Sequence, residues 1–144
     1  MRSSAGVTVT AAALLAGAVW VTAGAGQGAN EKGIRLVRDD AKQRVEVFVD
    51  GQPFTAYIYP SAQKKPVLYP LRSAKGTLVT RGFPLEPRAG ERIDHPHHVG
   101  LWFNYGDVNG TDFWNNSDAV KPDERPKMGT IVHRAITAVR GGAD

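Results

Sequence analysis

Arg44-Val45-Glu46-Val47-Phe48-Val49-Asp50-Gly51-Gln52-Pro53-Phe54-Thr55-Ala56-Tyr57-Ile58-Tyr59 is the stretch that decides the fold. Val45, Val47 and Val49 alternate with Glu46, Phe48 and Asp50, the period of two that sends successive side chains to opposite faces of a half-buried strand. Asp50-Gly51 is a strong turn dipeptide, because both residues tolerate the positive φ of a tight hairpin turn, and Pro53 helps to close the loop. Phe54 to Tyr59 runs back as a second strand rich in aromatics. The spacing predicts a β-hairpin over residues 44–59.

The same reading extends outward. Ile34-Arg35-Leu36-Val37 is a short strand before the hairpin. Pro60 to Pro66 reads as a polar turn with Lys64 and Lys65 exposed. Val67-Leu68-Tyr69, Thr77 to Thr80, Gly100 to Tyr105 and Ile131 to Val139 are further strand candidates. Between them, residues 82–98 hold Pro84, Pro87, Pro96, Gly82 and Gly90, too many breakers for regular structure. Residues 106–110 and 118–127 read as loops. No convincing helix appears after the N-terminal segment, and 16 glycines and 9 prolines in 144 residues favour many turns between short strands. The fold class expected is mainly β with antiparallel pairing, in one domain.

Residues 1–25 read as an address. Arg2 gives a short positive start, Val7 to Val21 form an apolar run, and Ala23-Gly24-Ala25 offers the small residues that a signal peptidase reads. The run falls short of the roughly 20 residues of a permanent membrane span, although a retained anchor is the competing reading. The mature chain then begins near Gly26 and is exported, periplasmic or extracellular, without membrane contact after cleavage. The chain has no cysteine, which excludes disulfides, thiolate metal sites and a cysteine nucleophile. A net charge of +4 is spread along the chain with no basic run, so nucleic acid is not an expected partner.

Three of the four histidines, His95, His97 and His98, fall in Asp94-His95-Pro96-His97-His98. In an extended segment, residues two apart share a face, so His95 and His97 could together hold a divalent metal, with Asp94, Asp107, Asp112 or His133 completing the set. Neutral imidazoles serve equally well as general bases or as partners for sugar hydroxyls. A loop with no chemistry, bent by Pro96, is the plain alternative. Trp102, Phe103, Tyr105, Phe113 and Trp114 follow closely; exposed aromatic faces stack on sugar rings, whereas aromatics on strands are more often core. Asp107, Asn109 and Asp112 are candidate polar ligands that also suit turns. Arg72, Arg81 and Arg88 could clamp an anionic group.

The run Asp94-His95-Pro96-His97-His98-Val99-Gly100-Leu101-Trp102-Phe103, with Gly106-Asp107-Val108-Asn109-Gly110-Thr111-Asp112-Phe113-Trp114 after it, resembles the PmoA-like family. Tyr69-Pro70-Leu71-Arg72, Thr80-Arg81-Gly82-Phe83-Pro84 and Gly129-Thr130-Ile131-Val132-His133-Arg134 fit the same pattern, so the resemblance spans roughly residues 35–140. Val99 departs from it, standing where the family usually carries Arg. The resemblance implies an antiparallel β-sandwich of the galactose-mutarotase-like supersandwich type, with residues 26–144 forming the N-terminal portion of a domain about twice as long. It also implies a link to carbohydrate catabolism. From the chemistry of the residues themselves, His95, His97 and His98 are the expected catalytic residues. Arg72, Arg81, Trp102, Asp107, Asn109, Asp112, Trp114 and His133 are the expected substrate-binding residues. Three functions stay open: a carbohydrate-modifying enzyme, a non-catalytic carbohydrate-binding module, and a metal-dependent oxidoreductase in keeping with the family label "methane oxygenase PmoA". A membrane methane oxygenase needs spans of about 20 apolar residues, and the only long apolar run here is the signal.

Overall fold

The computed structural model describes residues 32–142. The N-terminal signal reading lies outside them. The chain is mainly β and antiparallel: β1 (Ile34–Asp39), β2 (Arg44–Val49), β3 (Gln52–Ile58) and β4 (Val67–Leu68) form a sheet in sequential order. A two-stranded ribbon, β5 (Asp107–Val108) and β6 (Thr111–Asp112), stands apart from it. Among the described residues the only helical element is one 3-10 turn, Arg125–Lys127, and no helix is long and apolar enough to cross a membrane.

The hairpin forms as the alternation predicts. Val45 pairs with Tyr57 and Glu46 with Ala56, so Val45, Val47, Thr55 and Tyr57 share one face. Asp50 and Gly51 both take positive φ, 49° and 73°, as a turn that follows the right-handed strand twist requires. A register shift opposite Val47 and Phe48, which pair with Thr55 and Pro53, leaves Phe54 of β3 as the extra residue after the turn. The buried apolar residues, Val45, Ala56, Val67 and Tyr69, all lie on β2, β3 or the β4 segment; Val45 is on the face it shares with Tyr57, and Ala56 and Val67 are on the opposite face.

Three expected strands do not form ladders. Gly100–Tyr105 makes one antiparallel bridge, Leu101 with Leu68, and then leaves the sheet. Thr77–Thr80 is reduced to a bridge between Leu78 and Arg72. In Ile131–Val139, Ile131 N–H donates to the Lys64 carbonyl (2.9 Å) and no ladder follows. β-branched composition makes a segment fit a sheet, but a ladder also needs a neighbouring strand within hydrogen-bonding distance. Conversely, the 106–110 loop is the tip of the β5–β6 ribbon. Asn109 and Gly110 take φ of 54° and 82° there, and Asp107 Oδ1 accepts from Gly110 N–H (2.7 Å).

The Leu68–Leu101 bridge positions everything that follows. It fixes the chain just after the histidines against the edge of β4, with reciprocal bonds of 2.7 and 3.0 Å. Gly100 is required for it: φ is +57°, and a Cβ would come within 2.5 Å of the Leu68 carbonyl oxygen. Trp102 is thereby carried back alongside the loop that precedes β4, and that loop supplies Lys65.

Candidate active site

The His-rich segment is a turn. His98 N–H donates to the His95 carbonyl (2.9 Å), and His95 has φ of +48°. The segment is therefore not the extended strand expected, because a left-handed residue and an i to i+3 bond fold it on itself, yet the His95 and His97 rings still lie on one side, edge-on at 5.7 Å between centroids. The three rings gather instead by stacking. His95 lies parallel to His98 at 4.9 Å between centroids, and His97 meets His98 edge-on at 4.4 Å.

Arg81 holds this turn in place. Its Nη1 pairs with Asp94 Oδ1 at 3.1 Å, and its Nη2 donates to the carbonyls of Asp94 (2.7 Å) and His95 (2.6 Å) and, longer, His98 (3.5 Å). Arg81, an expected substrate-binding residue, directs both terminal nitrogens at the loop and clamps its backbone. His95 Nδ1 lies 3.2 Å from Asp94 Oδ2. Desolvation alone would raise the Asp94 carboxyl; the hydrogen bonds from His95 and Arg81 outweigh it and hold the group below the usual carboxylate value.

Two tryptophans close the cluster. The Trp102 and Trp114 rings are 5.6 Å apart; Trp114 meets His98 edge-on at 5.7 Å and lies 6.3 Å from His97. Trp114 is 41% exposed and Trp102 half-buried, so the pair presents an aromatic surface rather than a core filling. Phe103 and Tyr105 are exposed as well. Asp112 sets the direction of Trp114: its Oδ1 accepts from the N–H groups of Trp114 (2.8 Å) and Asn115 (3.0 Å), and its Oδ2 from Asn115 Nδ2 (2.7 Å). Burial pushes the Asp112 carboxyl up, but those hydrogen bonds win and lower it.

Burial holds the His97 imidazole below its ordinary 6.5, and the neighbouring His98, Lys65 and His95 charges push the same way against Asp112. His98 is lowered for the same first reason, with His95, Arg81 and Lys65 adding to it and Asp94 opposing. Both are neutral at neutral pH, able to accept a proton or a hydrogen bond.

Lys65, read from sequence as exposed, is 4% exposed. Its Nζ donates to the Trp114 carbonyl (3.1 Å) and lies 4.5 Å from the centre of the Trp102 ring. Burial lowers its amine to about 8, with Asp112 opposing. Nothing local in Lys64-Lys65-Pro66 distinguishes it from its neighbour; segments distant in sequence, carrying Trp102 and Trp114, cover it. Lys64 is the one that reaches outward, to Asp118 at 2.9 Å.

Other expected ligands lie elsewhere. Arg72 bonds its own turn, through the Gly76 carbonyl at 3.4 Å. Asp107 and Asn109 serve the β5–β6 turn. His133 belongs to a separate aromatic group, stacked on Tyr59 at 3.9 Å with its Nδ1 3.1 Å from the Tyr57 hydroxyl. Arg88 ties Tyr69 Oη (3.1 Å) and Glu91 (3.3 Å) into the 80–91 loop. Val99 and Pro96 line a cleft of about 170 Å³ with Lys65, Pro84 and Leu85. Among the described residues, no group of three or more His, Asp or Glu side chains is disposed to hold a metal ion. His95 and His97 therefore do not assemble the expected metal set with Asp94, Asp107, Asp112 or His133.

A family model described as a family of unknown function, DUF6807, matches residues 44–144. The chain belongs to the DUF6807 family. The match takes in the β2–β3 hairpin, the His-rich turn and both tryptophans, so the whole candidate site lies within the DUF6807 region. No curated protein and no solved structure matches the chain.

Proposed function

We propose that this DUF6807 protein is an exported, PmoA-like protein that binds carbohydrate on the Trp102–Trp114 surface and modifies it by acid–base chemistry at His97 and His98. The observation that carries the reading is the juxtaposition of two neutral imidazoles with a 41% exposed indole. An indole face stacks on the apolar face of a sugar ring, and imidazoles at its edge then meet the hydroxyls. A neutral imidazole takes a hydroxyl proton, and the imidazolium formed returns it to a ring or leaving oxygen. The Asp112 oxygens are occupied by Trp114 and Asn115, which suits a supporting role rather than proton transfer. The sandwich of the galactose-mutarotase type is part of the same reading, supported by the antiparallel sheet and the sequence resemblance.

The exposure of Phe103, Tyr105 and Trp114 favours one second reading, a carbohydrate-binding module without catalysis. Calorimetric titration with glucose oligomers, together with proton-NMR detection of anomer exchange, separates the two. Trp114→Ala is expected to abolish binding in either case. Loss of turnover with binding retained in His97→Ala and His98→Ala supports the enzyme. Binding with no turnover in the wild type supports the module, and no binding by the wild type removes both.

A further inference from the structure

Lys65 is outside every residue set read from the sequence, yet it is the most buried charged side chain in the described part of the sheet edge. Buried lysines are rare and need compensation for lost hydration. Here the compensation comes from two directions, the Trp114 carbonyl and the Trp102 ring face. Both belong to the candidate site, and they reach it from different segments: one follows the Leu101 bridge, the other follows β6.

We propose that Lys65 is the positioning residue of this site, its ammonium joining the Trp114 backbone to the Trp102 face and so fixing the two indoles against His97 and His98. The inference rests on the reading of this cluster as a carbohydrate site only for its consequence, and on the geometry for its mechanism. A single ammonium satisfies both contacts at once, through an N–H directed to the carbonyl and a positive charge over the ring. Without the charge, the ring contact loses its electrostatic part and the indole pair at 5.6 Å is free to reorient. The charged groups that act on this arrangement are Asp112, which favours the ammonium, and His97, which shares its field; His98 is the next, and Lys64 is occupied by Asp118. Because the amine loses its proton near pH 8, the clamp can be released without a mutation.

The test is fluorine NMR of the full chain labelled with 5-fluorotryptophan, with resonances assigned by Trp102→Phe and Trp114→Phe. In the wild type, the Trp102 and Trp114 signals are expected to move together with a midpoint near pH 8. Lys65→Arg, which stays charged, is expected to hold both signals at their low-pH positions, and Lys65→Met to shift them at neutral pH and abolish the midpoint. His97→Gln is expected to keep the midpoint. The proposal is overturned by the absence of a transition between roughly pH 7 and 9.5 in the wild type, or by its persistence in either Lys65 variant. If Lys65→Met does not fold, the arginine variant and the wild-type titration decide alone. In a parallel titration with glucose oligomers, wild-type affinity is expected to fall about tenfold across the transition while Lys65→Arg holds it. Wild-type protein that binds no oligomer removes the carbohydrate reading and leaves the fluorine result to judge Lys65.

Discussion

Replacing Arg81 by Met should open the His-rich turn without unfolding the sheet. The guanidinium makes two short bonds to the carbonyls of Asp94 and His95 and an ion pair with the Asp94 carboxylate. Hydrogen bonds to a charged group are worth about 1.5–3 kcal/mol each when buried. The Arg81 side chain is 26% exposed and Asp94 43%, so water replaces part of what is lost. About 1 kcal/mol for each short bond, or about 2 kcal/mol in all, is a reasonable magnitude. What the clamp opposes is the left-handed backbone of His95, which costs an L-residue about 1–2 kcal/mol. Once released, the turn relaxes locally. The assay is native-state hydrogen exchange of the His98 amide, which closes the turn onto the His95 carbonyl. Its exchange should accelerate about 30-fold in Arg81→Met, the equivalent of about 2 kcal/mol. Arg81→Lys should recover about half, because one ammonium cannot engage the carbonyls and the carboxylate from two nitrogens. A His98 amide that exchanges at the wild-type rate in a folded Arg81→Met protein would refute the clamp.

Two further outcomes follow from the same geometry. Imidazole NMR should place the titrations of His97 and His98 below 6.5, and stability should fall as pH drops from 6.5 through those lower values, since the unfolded chain takes up the protons first; midpoints at or above 6.5 would contradict the burial of these rings. Gly100→Ala should separate Leu101 from Leu68, because the new Cβ meets a carbonyl oxygen of β4 that cannot swing away, and it should cost about 2 kcal/mol in urea unfolding, whereas Gly106→Ala, with open space around it, should cost far less.

Much of the fold was legible in the sequence because its cause is local. The alternation of Val45, Val47 and Val49 and the Asp50-Gly51 turn specify a hairpin from neighbouring residues alone, and the structure forms it in that register. The cluster of His95, His97 and His98 was legible too, as were Trp102, Trp114 and Asp112 beside it. Their mutual arrangement was not. A period of two assumes extended backbone, and the turn at His95 breaks that assumption through an arginine 14 residues upstream.

The failures have one common origin. Gly100–Tyr105 and Ile131–Val139 have strand composition, but pairing depends on which backbone runs alongside, and that is a property of the assembled chain. Asp107 and Asn109 were candidate ligands by residue type, yet the short return between β5 and β6 uses them as turn formers. Lys65 and Lys64 are adjacent and chemically identical in sequence. One is buried under an indole and the other reaches out to Asp118, because the Leu68–Leu101 bridge brings Trp102 back over only one of them. Sequence by itself determined the hairpin, the absence of cysteine chemistry and the residue types available to the site. Tertiary structure decided which of those residues meet, since burial and charge at each position are set by segments far away along the chain.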